Sequence, residues 1–158
     1  NRCVVVPKDH PLAQLDKITL EAVAEHSIVT YTFGFTGRSK LDEAFNSRGL
    51  VPKVVFTAVD SDVIKTYVRL GLGIGIIAGL AYDDDLDSDL VKLNADHLFA
   101  SSVTSLAFRK GTFLRGYMYD FIEALAPHLN QELVQEAFSR SNPSERQELY
   151  SHIELPTF

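Results

Sequence analysis

Short apolar runs alternate with helical patterns along the first hundred residues of the chain. Five runs predict strands, at residues 4–6, 27–31, 53–58, 74–78 and 90–93. Between them, apolar residues at helical spacing predict three helices, which follow Thr19, begin at Arg38 and follow a cap at Asp60 or Ser61. Strands and helices that alternate in this way predict an α/β sheet.

The pattern also predicts how individual elements lie in that sheet. Residues 74–78 are apolar without alternation, which is typical of a strand buried on both faces in a parallel sheet. Residues 90–93 follow an acidic stretch, and we expect them to form an edge strand. The helix after Asp60 is predicted to bury the side formed by Val63, Tyr67 and Leu70.

The remainder of the chain is predicted to be mostly helical. Residues 105–108 predict a last strand, and a helix is expected from Phe113 until Pro127. A second helix follows a cap at Asn130. Residues 141–158 are polar, so we expect a loosely held tail with one further short helix that ends at Tyr150.

Composition and charge exclude several classes of function. The chain has 158 residues and a formal net charge of −6, and its basic residues are spread singly, so we do not expect it to bind DNA by itself. The single cysteine, Cys3, predicts no internal disulfide and favours a cytoplasmic location. No apolar stretch reaches the roughly 20 residues of a membrane-spanning helix. Because the chain opens on a core strand, we expect that preceding residues are missing.

The best candidate for a binding site is a loop between a buried strand and the start of a helix. Unpaired N–H groups at a helix N-terminus attract anions, and glycine lets the backbone approach a ligand closely. In open α/β sheets, ligands bind at the carboxyl ends of strands, where this loop is expected. The alternative is an ordinary turn in which Thr36 caps its own helix. The candidate anion site consists of Thr32, Phe33, Gly34, Phe35, Thr36 and Gly37.

Other candidates have simpler explanations. Arg38 could bind a carboxylate or phosphate, but we favour a solvated surface position. Asp60 and Asp62 are better explained as helix-capping residues than as a catalytic pair. The acidic run 83–89 suggests calcium, yet Leu90 stands where an EF-hand loop needs glycine, and we expect a solvated loop.

Catalytic and metal-binding motifs are missing from the sequence. The five histidines never approach metal-ligand spacing, and we expect them at the surface. No serine or cysteine has the context of an activated nucleophile. Gly71, Gly73 and Gly75 follow a helix and precede a strand, the reverse of the order in a dinucleotide-binding fold. We therefore predict neither catalytic residues nor a metal, and the protein is not expected to be an enzyme.

Three longer segments carry a family resemblance. Residues 30–39, residues 62–77 with their Gly-Leu-Gly-Ile-Gly stretch, and residues 113–122 resemble the effector domains of LysR-type transcriptional regulators. Within that family they look most like the cysteine-regulon activators, and the similarity spans nearly the whole chain.

The resemblance implies a two-lobed fold like that of type 2 periplasmic binding proteins. Residues 1–102 would form one lobe nearly entire, 103–140 the returning part of the other lobe, and 141–158 a C-terminal tail. The DNA-binding winged helix-turn-helix and the first portion of the second lobe are absent from this sequence. No cofactor is implied, and Thr36 matches the family's sulfate-contacting threonine.

The implied function is to sense an effector and control transcription of genes for sulfur assimilation and cysteine biosynthesis. The implied ligands are N-acetylserine, O-acetylserine, sulfate and thiosulfate. The full-length protein, as a homodimer or homotetramer, would contact promoter DNA and RNA polymerase. The alternative is a two-lobed solute-binding protein that delivers sulfate or an amino acid to a transporter.

Overall fold

The computed structural model describes residues 1–34, 38–100, 103–109 and 111–156. These residues divide into two compact units, Asn1–Thr104 and Ser105–Thr157. No helix within the described ranges is both long and apolar enough to cross a lipid bilayer.

The first unit contains one sheet with helices on both faces. Its strands are β1 (Arg2–Pro7), β2 (Ile28–Tyr31), β3 (Val54–Ala58), β4 (Ile74–Ala78) and β5 (Leu90–Asn94). Its helices are α1 (Leu20–Ala24), α2 (Arg38–Ser47) and α3 (Ser61–Arg69), with short 3-10 helices at Pro11–Gln14 and Gly79–Ala81. All five strands and all three helices expected for this part of the chain are present.

The sheet is mixed, with the strand order β3-β2-β4-β1-β5. Strand β2 runs parallel to β3 and β4, whereas β1 runs antiparallel to β4 and β5. The expectation that β4 is buried between parallel neighbours is therefore half right, because one neighbour is antiparallel. Strand β5 lies at the edge, as predicted.

Strand β1 supplies both faces of the core because its side chains alternate. Val4 and Val6 belong to a cluster that packs against α1 and α2, while Cys3 and Val5 belong to a second cluster that packs against α3. All four side chains are buried. The sheet is thus the middle of three layers, with apolar side chains covered on each side.

Glycine at the start of β4 permits close packing. A Cβ at Gly75 would lie 2.6 Å from Val5 Cγ2 and 2.9 Å from Val68 Cγ2, and one at Gly73 would lie 2.2 Å from the Ser27 carbonyl oxygen. Both positions lack room for a side chain, so these glycines let α3 and the neighbouring chain approach β4.

Helix α3 buries a different side from the predicted one. Its buried residues are Ile64, Lys65 and Val68, whereas Val63 is 41 % and Leu70 is 73 % exposed. The predicted set failed because Lys65, a charged residue, lies on the buried side and makes that side look polar in the sequence. Tyr67 is half-buried against the ring of Phe56.

The second unit is helical within its described residues. Its helices are α4 (Gly116–Leu125), α5 (Gln131–Ser139) and α6 (Pro143–Tyr150). The side chain of Asn130 caps α5 by accepting a hydrogen bond from the Leu133 N–H at 2.9 Å, as predicted. Helix α4 begins three residues later than the expected Phe113, and α6 has no buried residue.

The prediction of a strand at residues 105–108 was wrong. These residues form no strand in the described structure. Alternating apolar residues suit a strand, but a strand also needs a neighbouring strand to accept and donate its backbone hydrogen bonds.

Candidate functional site

The carboxyl ends of three parallel strands meet at one edge of the sheet, which we call the carboxyl edge. Tyr31 of β2 pairs with Ala58 of β3, and Thr30 of β2 pairs with Ile76 of β4. The segments that continue from these strands are residues 32–34, 59–60 and 79–81. The candidate loop therefore begins at the carboxyl end of a strand, as expected from the sequence.

Three residues of the candidate loop belong to the described structure. The Thr32 N–H donates a 3.0 Å hydrogen bond to the Ala58 carbonyl, which extends the pairing of β2 with β3 by one residue. Phe33 is 72 % exposed, and Gly34 has φ +85°, a left-handed conformation that favours glycine. Phe35, Thr36 and Gly37 lie outside the described residues.

Arg38, the first residue of α2, is buried, and the prediction of a solvated surface position was wrong. Its Nε lies 3.1 Å from both carboxylate oxygens of Asp42. Its Nη1 donates a 3.2 Å hydrogen bond to the Tyr31 carbonyl, and its Cζ lies 4.2 Å from the ring centroid of Phe33. The side chain thus contacts β2, the loop and α2 together. The spacing of four residues between Arg38 and Asp42 was the available sequence signal.

A second contact fixes the end of β2 against the end of β4. The Tyr31 phenol oxygen accepts a 3.3 Å hydrogen bond from the Ala78 N–H. The Tyr31 carbonyl also accepts a hydrogen bond from Arg38. Tyr31 therefore joins the end of β2 both to the end of β4 and to the start of α2.

The carboxyl edge also presents apolar side chains to solvent. Phe33 follows β2, Val59 follows β3, and Leu80 follows β4, and each of the three is more than half exposed. Small-molecule sites usually combine apolar surface with a few fixed polar groups. The edge offers that combination.

Asp60 caps α3 as predicted, whereas the side chain of Asp62 does not cap the helix and contacts Lys65 instead. The Asp60 carboxylate accepts a 2.6 Å hydrogen bond from the Asp62 N–H and caps α3. Asp62 lies in the first turn and its carboxylate is 2.9 Å from Lys65 Nζ.

The acidic segment after β4 is not entirely a solvated loop, because Asp87 is buried. Its carboxylate lies 2.7 Å from Lys65 Nζ and 2.8 Å from Arg69 Nη2. Arg69 also binds Asp89, and Lys65 Nζ donates to the Ala81 carbonyl at 2.9 Å. We call Lys65, Arg69, Asp87 and Asp89 the Asp87 cluster; it holds the segment after β4 against α3.

The cluster changes the acidity of Asp87. Burial by itself raises the pKa of a carboxyl group, but hydrogen bonds from Lys65, the Asp83 N–H and Arg69 outweigh it and lower the pKa of Asp87 to about 2. The carboxylate is therefore charged at neutral pH, and its two cationic neighbours compensate that charge.

Metal binding has no support within the described ranges, where no three His, Cys, Asp or Glu side chains are grouped to hold an ion. The histidines are not all at the surface as expected. His10 and His26 are half-buried, and their rings lie in edge contact with centroids 4.6 Å apart.

Comparison with known proteins identifies the family. The model of the LysR substrate binding domain matches residues 1–130. The chain belongs to this family. The LysR domain described here has the α/β, periplasmic-binding-protein-like fold expected from the sequence, and the resemblance on which that expectation rested is confirmed.

Named relatives and a solved structure support the same assignment. The chain is 52 % identical over 157 residues to the HTH-type transcriptional regulator CysB of Haemophilus influenzae, covering 99 % of this chain and 48 % of that protein. It is 56 % identical over 128 residues to the regulator SsuR of Burkholderia cenocepacia, covering 81 % of this chain and 42 % of that protein. The crystal structure of the cofactor-binding domain of the Cbl transcriptional regulator matches with a TM-score of 0.76 and 37 % identity, over 89 % of this chain and 61 % of that one.

This LysR domain spans about half the length of the curated relatives that it matches. The relatives are transcriptional regulators, so the class of protein is a regulator's effector-binding domain related to CysB, SsuR and Cbl.

Proposed function

We propose that this domain senses a small anionic effector for a transcriptional activator of sulfur assimilation and cysteine biosynthesis. The effector is N-acetylserine, O-acetylserine, sulfate or thiosulfate. The observation that carries the proposal is the 52 % identity to CysB across nearly the whole chain, together with a loop at the carboxyl edge that opens helix α2.

The local physical chemistry supports an anion at this position. The first N–H groups of a helix have no partner inside the helix, and they carry the positive end of its dipole. Helix α2 has ten residues and begins at Arg38, directly after the loop. The proposed site comprises Thr32, Phe33 and Gly34 together with Phe35, Thr36 and Gly37, and the Thr36 hydroxyl is proposed to bind the anion.

The proposed site is one half of a complete one. Residues 1–102 are proposed to form one lobe, 103–140 the returning part of a second lobe, and 141–158 a C-terminal tail. The effector would bind one arrangement of the lobes more tightly than another, and only that difference in affinity shifts the regulator between its states. No covalent bond forms or breaks.

The full-length protein is proposed to act in the cytoplasm as a homodimer or homotetramer that contacts promoter DNA and RNA polymerase. Because this domain has a net charge of −6, we do not propose that it contacts the phosphates of DNA. A solute-binding protein of the same two-lobed architecture was the alternative, and it is not favoured because the named relatives are transcriptional regulators.

The test of the site is Thr36→Ala in the intact protein. Loss of the hydroxyl leaves the anion without one hydrogen-bond partner, so we expect sulfate or N-acetylserine binding to weaken by about 1–3 kcal/mol. Isothermal titration calorimetry measures this affinity directly.

Thr66→Ala is the matched control. Thr66 is exposed on α3, and its hydroxyl donates to the Asp62 carbonyl at 2.8 Å, within its own helix. Its replacement should leave effector affinity unchanged. Equal affinities for the Thr36→Ala protein and the unmodified protein would refute the assignment of Thr36.

A further inference from the structure

We infer that Arg38 is a positioning residue for the effector loop, acting through its shape and not through its charge. The inference rests on the proposed function, because it concerns the same loop at the carboxyl edge. Arg38 would set effector affinity by holding the end of β2, the Phe33 ring and the start of α2 in one arrangement.

The contacts of Arg38 lie on both sides of the loop. Before the loop, Nη1 donates to the Tyr31 carbonyl at 3.2 Å. Within the loop, the guanidinium lies over the Phe33 ring, with Cζ 4.2 Å from its centroid. After the loop, Nε donates to Asp42 one turn along α2. A single side chain therefore ties the last residue of β2 to the first residue of α2.

Burial and pairing argue that the charge of Arg38 is already compensated. The residue is only 6 % exposed, and the Asp42 carboxylate is 3.1 Å from its Nε. A paired, buried cation attracts an external anion much less than a free one, because the two opposite charges cancel at a distance. What Arg38 contributes is geometry, since a planar guanidinium can stack on a ring and donate in two directions at once.

The contact between Arg38 and Phe33 indicates a role for Arg38 beyond folding. A ring that is 72 % exposed contributes little to a core, yet here the buried guanidinium lies against it. The guanidinium would hold the ring in place at the carboxyl edge through this contact, and with it the backbone of Thr32 and Gly34. A pre-organised loop binds its ligand more tightly because less conformational freedom is lost on binding.

The experiment compares Arg38→Lys, Arg38→Met and Asp42→Asn in the intact protein, with sulfate and N-acetylserine as the probes for calorimetry. Lys keeps the positive charge but loses the plane and the fork, so we expect Arg38→Lys and Arg38→Met to raise the Kd by a similar factor, about tenfold. Arg38→Lys with the affinity of the unmodified protein, beside a weakened Arg38→Met, would show that charge is what matters and would overturn the inference.

Asp42→Asn distinguishes positioning from direct anion binding, because the two roles predict opposite changes in effector affinity. The substitution removes the competing carboxylate from Arg38. If Arg38 bound the effector as a free cation, its affinity for the effector would rise, whereas a weaker hydrogen bond from Arg38 to α2 predicts a fall. Tighter binding by Asp42→Asn would therefore contradict the inference. Arg48→Lys is the matched control, because Arg48 lies just beyond the other end of α2 and its side chain is 64 % exposed.

A ligand-free measurement separates this inference from the proposed function. Amide hydrogen exchange of Thr32, whose N–H donates to the Ala58 carbonyl at 3.0 Å, should be faster in Arg38→Lys than in the unmodified protein, while exchange in β4 stays the same. If exchange accelerates but the unmodified protein binds neither probe, the proposed function fails and the positioning of the loop stands. If both probes bind and exchange at Thr32 is unchanged, the positioning role fails by itself. Unchanged exchange in β4 also shows that the variant is folded.

Discussion

Replacing Asp87 with Asn should destabilise the first unit strongly, because it leaves two cations without their shared buried partner. The Asp87 carboxylate contacts Lys65 Nζ at 2.7 Å and Arg69 Nη2 at 2.8 Å, and the Lys65 side chain is only 6 % exposed. Removing one member of a buried ion pair typically costs about 3–5 kcal/mol, since the remaining charge stays buried without compensation.

The expected loss of unfolding free energy lies toward the lower end of that range because each cation keeps another contact. Lys65 retains the Ala81 carbonyl at 2.9 Å and the exposed carboxylate of Asp62, and Arg69 retains Asp89. We therefore expect Asp87→Asn to lower the free energy of unfolding by about 3 kcal/mol at pH 7.

Urea unfolding followed by circular dichroism measures this loss, with Asp89→Asn as the control. Asp89 contacts the same arginine but its side chain is 57 % exposed, so its replacement should cost far less. If Asp87→Asn and Asp89→Asn lowered the free energy of unfolding equally, the argument that burial makes Asp87 important for stability would be refuted.

The pH dependence follows from the lowered pKa of Asp87. Burial opposes the charge, but the hydrogen bonds from Lys65, the Asp83 N–H and Arg69 prevail and bring the pKa to about 2, below the ordinary value of 3.8. A carboxyl group with a lowered folded pKa stabilises the protein above its unfolded pKa, and the stabilisation is lost as the pH falls through the folded pKa. The difference in stability between Asp87→Asn and the unmodified protein should therefore narrow below pH 3.8. A difference that stays constant to pH 2 would contradict this account.

Two further stability predictions follow from the core and from the histidine pair. Gly75→Ala should lower the free energy of unfolding by about 1–3 kcal/mol through overpacking, whereas Gly116→Ala, where nothing lies within 4 Å, should be close to neutral in the same thermal unfolding assay. Burial and then the neighbouring His26 lower the pKa of His10, while Asp9 opposes them; the Nδ1 of His10 accepts a hydrogen bond from the Leu12 N–H, so the neutral ring is the one that fits. Stability should fall as the pH drops below about 6.5, the unfolded pKa of histidine. His10→Asn, which keeps a capping acceptor without a titrating ring, should reduce that fall between pH 7.5 and pH 5.5 measured by urea unfolding; an identical pH profile would argue against the role of His10.

Local signals predicted the element order well because they depend on neighbouring residues alone. Thr19, Asp60 and Asn130 each cap the helix expected to follow them, through a side-chain oxygen that accepts a backbone N–H two or three residues later. Both partners of such a contact lie within one helical turn of each other in the sequence, so the sequence alone predicts it.

Features that depend on contacts between different elements of the fold were missed. Lys65 lies on the buried side of α3, where Asp87, 22 residues further along, compensates its charge. Arg38 is buried because the Tyr31 carbonyl and the Phe33 ring lie over it, and no spacing rule reveals those contacts. Both residues were missed for the same reason, because a charged side chain is buried only where partners in the folded chain compensate its charge.

The central claim is that a small anion binds at the carboxyl edge beside Thr32, Phe33 and Gly34. A titration of the isotopically labelled intact protein with N-acetylserine or sulfate, followed by NMR, tests it directly. The account predicts saturable shifts of the Thr32, Phe33 and Gly34 amide signals. The signals of Ser27 and Lys53, which precede β2 and β3 at the opposite edge of the sheet, should be unaffected. Saturable binding of either anion that leaves the three loop amides unchanged would contradict it.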